Sequence, residues 1–243
     1  MAMAGGMSQT LKAILGLREM ISRGDVQPGE RMSELVLVER LGLSRTPIRA
    51  ALARLAQEGL LEEIPTGGYA ARAFSDEDVA DAIELRGTIE GLAARLAAER
   101  GLSEAALEAV RAILAGIDAL MARPAERFRF ADYVELNGQF HDALAELPGS
   151  DLIRRELARV KSLPFASPVA FLEVQAQLPS FREVLVVAHS QHHALVEAIA
   201  AREGARAEAI AREHARQARR NYLKVKGDWA LKARVPGLSL VTG

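Results

Sequence analysis

The sequence predicts a mainly α-helical protein, with a small N-terminal domain of three helices and a β-hairpin ahead of an all-helical bundle. Three observations carry this expectation. Hydrophobic residues make up 49% of the 243 residues but aromatics 5%. Alanine, leucine, arginine and glutamate are abundant, and these favour helix over strand. One short stretch departs from the helical pattern: near residues 60–74, LLEEI and YAARAF flank Pro65-Thr66-Gly67-Gly68, two extended runs around a turn.

The elements follow in order. A first helix is expected over about residues 8–23, with Leu11, Ile14, Leu17 and Ile21 at helical spacing and Gly24 as its stop. Pro28-Gly29 marks a tight turn. Ser33 is placed to cap a second helix that Gly42 ends, and Ser44 to cap a third with Pro47 in its first turn. Gly59 ends the third helix and the hairpin follows. Three short helices and a hairpin within about 70 residues is the plan of a winged helix-turn-helix.

Ser75 followed by Asp76, Glu77 and Asp78 is an N-cap with acids in the first turn. The boundary between domains is therefore placed at 74/75. Further helices are expected at about 76–100, 103–122, 126–147, 149–163, 180–202 and 204–226, with a proline-bearing loop at 164–179. The division is 1–74, 75–226 and a loosely ordered tail, 227–243.

Composition excludes several classes. The absence of cysteine rules out disulfide frameworks, thiolate zinc fingers and cysteine nucleophiles. No apolar run of about 18 residues is present, so no membrane partner is expected. The start, MAMAGGMSQT, does not read as a signal peptide, so the expected location is cytoplasmic. HExxH, GxSxG, phosphate-loop and GxGxxG patterns are absent. The formal net charge of −1 hides local patches. Residues 44–57, SRTPIRAALARLAQ, carry Arg45, Arg49 and Arg54 without an acid. Arg45 and Arg49 lie one turn apart on one side of the third helix, beside the apolar stripe of Ile48, Leu52 and Leu55. An arginine fork can read guanine or clamp a phosphate there, and the turn at 65–68 would form the wing tip. Arg54 points elsewhere.

Residues 17–73 resemble the DNA-binding domain of GntR-family bacterial regulators through PGERMSE (28–34), LVERLGLSRTPIRAAL (37–52), RLAQEGLL (54–61) and the wing Gly68. The resemblance implies DNA contacts by Ser44, Arg45, Thr46, Arg49 and Gly68. Gly67 stands where the family's wing often carries a basic residue.

All five histidines fall within residues 141–214. Neutral imidazole is the commonest metal ligand, and a helical bundle can gather inward residues from several helices around one ion. By spacing alone, Asn137 with His141 and His189 with His193 are equally good i,i+4 pairs. Residues 80–219 resemble the FCD effector domain of the FadR-type branch through AIELRGTIEGLAARLAA (82–98), LNGQFHDAL (136–144) and HHALVEAIAAREGARAEAIAREH (192–214). That resemblance selects Asn137, His141, His192 and His214 as ligands of a divalent metal, zinc or nickel, and leaves His189 and His193 at the pocket edge or surface. Asn137 replaces the family's usual aspartate. Arg86 matches an arginine near the family's pocket, suited to clamping a carboxylate effector, while Glu90 reads as structural.

The expected function is a ligand-responsive DNA-binding regulator, a repressor by default. It would bind double-stranded operator DNA as a homodimer and respond to a small organic acid in a metal-containing helical pocket. The alternative is a metal-dependent enzyme acting on a small carboxylate. No general base accompanies the histidines in a known motif, so the reading is that the chain is not an enzyme.

Overall fold

The computed structural model describes residues 8–170, 181–226, 235 and 237–242. It divides into two compact units, the first running to Val79 and rejoined by the chain from Val235, the second covering Ala80–Arg234.

In the first unit, α1 (Gln9–Arg23), α2 (Glu34–Leu41) and α3 (Arg45–Gln57) precede strands β1 (Leu61–Glu63) and β2 (Tyr69–Ala71). Ser8 caps α1 by accepting from the Leu11 N–H. Gly24, at φ 77°, closes it with bonds from Gly24 N to Ile21 O and from Asp25 N to Met20 O, a Schellman end that needs a left-handed residue. The buried face of α1 is Ala13, Leu17 and Ile21, packed with Ile48, Ala51, Leu52 and Leu55 of α3. Leu11, expected in that stripe, is exposed, because the buried spacing of four runs through Ala13 instead. Ser33 and Ser44 stand at the N-cap positions with extended backbones, but neither side chain makes a capping bond.

The hairpin pairs β1 and β2 antiparallel, Leu61 with Ala71 and Glu63 with Tyr69. A third segment joins it. Arg31 bridges to Ala70, and Gly29 N and Met32 N donate to the carbonyls of Ala71 and Tyr69. The chain end also differs from the expected loose tail. Residues 227–234, 236 and 243 lie outside the described residues, but Leu238–Leu240 form a 3-10 turn with both leucines fully buried. Phe74 N donates to Leu240 O and Thr242 N to Phe74 O.

Among the described residues the second unit has six α-helices: α4 (Asp76–Arg100, whose first turn lies in the first unit), α5 (Glu104–Met121), α6 (Phe130–Glu146), α7 (Asp151–Lys161), α8 (Phe181–Ala200) and α9 (Gly204–Lys226). The start of α4 is a capping box, with Asp78 N donating to Ser75 Oγ and Ser75 N to the Asp78 carboxylate. The helix expected from about 126 begins at Phe130, after a 3-10 turn at Ala125–Arg127. Of the expected loop, Pro164–Ala166 form a 3-10 turn, and residues 171–179 lie outside the described residues.

The core layers Ala94, Ala97 and Ala98 of α4 with Leu114 of α5, Phe140 and Leu144 of α6, Leu195 and Ile199 of α8, and Ala207 and Ala211 of α9. Alanine faces let helix axes approach closely. One close approach is at Gly87, where a Cβ would sit 2.6 Å from Ala215 Cβ. Gly87→Val should therefore force α4 off α9 and lose about 1–3 kcal/mol in chemical denaturation. Ala215→Gly should restore part of the loss; an unchanged Gly87→Val midpoint would contradict the close packing.

Candidate DNA-reading surface and buried histidine centre

On α3 the apolar side chains Ile48, Ala51, Leu52 and Leu55 face the core, which turns the intervening polar positions outward. Ser44, Arg45, Thr46 and Arg49 are all exposed. Arg45 has no hydrogen-bond or ion-pair partner among the described residues. Arg49 is held by Glu34 of α2, its Nε lying 2.9 and 2.8 Å from the two carboxylate oxygens. Arg54 pairs with Glu58 at 2.9 Å, a carboxylate that Arg18 also meets, so Arg54 is already engaged within the fold.

The wing tip, Pro65–Gly68, is exposed. Gly67 and Gly68 both have left-handed backbones, φ 86° and 94°, where a side chain would be strained. The cation that sequence reasoning found missing from the wing arrives from elsewhere. Arg31 Nη2 donates to Gly67 O at 3.0 Å, and its guanidinium lies beside Gly68. The short bridge of Arg31 to Ala70 places it there, and a one-residue bridge leaves no periodic signal.

In the second unit, α6, α8 and α9 bring His141, His192 and His214 together, with ligand atoms within 4.8 Å of one another. His192 Nε2 and His214 Nε2 face each other at 3.1 Å. The partners of the other ring nitrogens set the tautomers. His141 Nδ1 lies 2.9 Å from Glu90 Oε1 and His214 Nδ1 lies 3.1 Å from Gln191 Oε1, so both Nδ1 atoms donate and both Nε2 atoms keep a lone pair. Phe140 walls one side, its ring centroid 4.2 Å from that of His192. Asn137 is buried one turn before His141.

Electrostatics keep His192 and His214 uncharged. Burial, helped by the His214 and His141 rings, pushes His192 well below the ordinary imidazole value. Burial and then the charge of His141 lower His214 to about 3. For Glu90, burial works to raise the carboxyl, but the Arg86 guanidinium and the His141 ring outweigh it and hold it at about 2. Arg86 and Glu90 are buried, with Arg86 Nη1 3.3 Å from the carboxylate, so this is an interior ion pair rather than a surface one. Arg86 Nε is buried with no hydrogen-bond partner among the described residues. A cavity opens beside the centre, lined by Arg86, Tyr133, Asn137, His141, His214 and Asn221.

These residues fit a divalent ion. Three imidazoles converge, and two nitrogens 3.1 Å apart suit a shared ion at ~2.0–2.1 Å from each. Glu90 backs His141 as a carboxylate commonly backs a ligating histidine. Sequence reasoning gave Glu90 only a structural part and passed over Gln191; their i,i+4 and neighbouring positions become informative once the helices are packed. His189 and His193 turn away from the trio to Asp118 of α5.

Comparison with known proteins decides the class. Residues 9–70 match the bacterial regulatory proteins of the gntR family, and residues 81–217 match the FCD domain. The chain belongs to the GntR family. The HTH-type transcriptional repressor GlaR of Escherichia coli K12 is 30% identical over 201 residues, 82% of this chain and 88% of that protein. LutR, a transcriptional regulator of Bacillus subtilis, is 28% identical over 80% of this chain and 92% of its own. The solved structure of E. coli McbR/YncC shares the fold at a TM-score of 0.62, with 20% identity, covering 90% of this chain and 99% of that one. The GntR assignment makes the chain a transcriptional regulator and sets aside the metalloenzyme alternative. Among the described residues, no helix is long and apolar enough to cross a membrane.

Proposed function

We propose that this GntR regulator is a repressor that binds a two-fold operator as a homodimer and is released by a small organic acid. The observation that supports this reading is the histidine trio, two of whose members, His141 and His214, line a cavity with Arg86, on a chain that also carries an exposed arginine-bearing α3. Arg45, Thr46 and Arg49 would enter the major groove, Ser44 and Gly68 would meet phosphates through their backbones, and two copies would place two α3 helices on half-sites one turn apart.

Asn137 and the Nε2 atoms of His141, His192 and His214 would hold zinc or nickel. Bound there, the ion supplies open positions for a carboxylate oxygen. All four donors are neutral, and Glu90 is balanced by Arg86, so an anion is the favoured guest. Arg86 Nε, lacking a partner, is the donor that a carboxylate would complete. Coupling is reciprocal: an acid that weakens DNA binding is itself bound less tightly by the DNA complex.

The test is a panel of small carboxylates added to metal-loaded and chelator-treated protein. An authentic effector raises the melting temperature and releases promoter DNA in the loaded protein, and does neither after chelation. No response from any acid in the loaded protein would overturn the effector reading.

Arg31 belongs to the same reading as a phosphate contact from the wing. Arg31→Ala is expected to weaken binding to operator and unrelated DNA alike, by about tenfold or less, and to lower the salt slope by about one. Fluorescence anisotropy across a salt series measures both; an unchanged slope would remove Arg31 from the interface.

A further inference from the structure

The i,i+4 pair that the family resemblance set aside has its own geometry. His189 and His193 lie one turn apart on α8, with ring centroids 4.6 Å apart. Asp118 reaches them from α5. Its Oδ1 lies 2.7 Å from His189 Nε2 and 3.0 Å from His193 Nε2, so two imidazoles and a carboxylate oxygen converge on one point. The ligand atoms lie within 4.8 Å of one another.

We propose that Asp118, His189 and His193 form a second transition-metal site, shallower than the buried trio and taking Zn2+, Ni2+ or Co2+. Two nitrogens and a carboxylate oxygen are a donor set these ions accept. His189 is buried, which fixes one donor, while Asp118 and His193 are about half exposed, which gives an ion a route in and leaves coordination positions for water. The ion-pair partners of Asp118 among the described residues are these two histidines, and no lysine or arginine competes for it. Asp118 also supplies the formal negative charge that Asn137 does not.

Binding requires each neutral ring to carry its proton on Nδ1, freeing Nε2 for the ion. His189 Nδ1 is buried with no hydrogen-bond partner among the described residues, as is His192 Nδ1 in the deeper trio, so neither has the hydrogen bond that usually backs a ligating imidazole. With Asp118 and His193 about half exposed to water, the second site is the weaker one and the first to empty under a chelator.

The site does not rest on the effector reading, and one experiment separates them. Untagged, metal-stripped full-length protein is titrated with Co2+, followed by visible absorption, and with Zn2+ by equilibrium dialysis. Wild type is expected to take two ions per chain, and His193→Ala and Asp118→Ala one each. Both replaced side chains are about half exposed, so circular dichroism should show an unchanged fold. One ion in wild type that persists in both variants overturns the second site. One ion that is lost in His193→Ala and kept in His141→Ala supports it while sinking the buried centre. No ion in wild type overturns both.

Discussion

Glu90→Ala is expected to lose about 3–5 kcal/mol of stability, the usual result of leaving a buried charge without its partner. Arg86 and Glu90 are 2% and 1% exposed, so water cannot replace the lost carboxylate. The same carboxylate accepts from His141 Nδ1, and a buried donor left unsatisfied adds about 1–3 kcal/mol on its own. For a protein of this size each kcal/mol corresponds to roughly 2–4 °C, so a drop of about 10 °C or more is expected. The measurement is thermal unfolding in the presence of chelator, so that metal binding does not enter. Glu90→Gln should recover part of the loss by keeping an acceptor for His141 without restoring the charge. Arg86→Met combined with Glu90→Leu should recover more, because it removes both charges. A melting temperature for Glu90→Ala within a degree or two of wild type would refute the interior ion pair.

The second large effect falls on DNA binding. Arg45→Ala with Arg49→Ala should cost about 1–3 kcal/mol per arginine, weakening operator binding by roughly 30-fold to more than 10,000-fold. The two residues start from different states. Arg45 has no partner among the described residues, whereas Arg49 must leave Glu34 before it can meet DNA. That exposed pair is worth about 0–1 kcal/mol, so releasing it is a small charge against binding. Glu34→Ala should for this reason preserve or slightly tighten binding, while the arginine variants lose it. Anisotropy with a fragment of the protein's own promoter reads all three, and metal stoichiometry serves as the control for an intact second unit. Wild-type affinity in the double variant would remove α3 as the reading element.

How much of this was legible beforehand depended on how local the cause was. Gly24 and Gly42 marked helix ends because a left-handed residue is a local demand. Ser75 stood as the expected N-cap of α4 for the same reason, and Asp78 completed a capping box with it. Ser33 and Ser44 show the limit, since a serine can hold the N-cap position without making the bond. Leu238 and Leu240 gave no warning that the chain end returns to the first unit. Arg31 was read as part of a motif, not as the wing's cation, because its place depends on pairing with Ala70 across 39 positions of chain.

What the order of residues settled was whatever acts within a turn or two: helix identity, the hairpin, the outward side of α3, and the pairing of residues four apart. It left two i,i+4 pairs, Asn137 with His141 and His189 with His193, equivalent. Packing gave the pairs different partners: His192 meets His214 across α8 and α9 and His141 joins from α6, while His189 and His193 turn to Asp118 of α5. It also made an i,i+4 pair, Arg86 and Glu90, into an interior one. Spacing reports which side chains share a helix face, but the charge a group keeps depends on what lies opposite and how much water remains, and those are properties of the assembled helices.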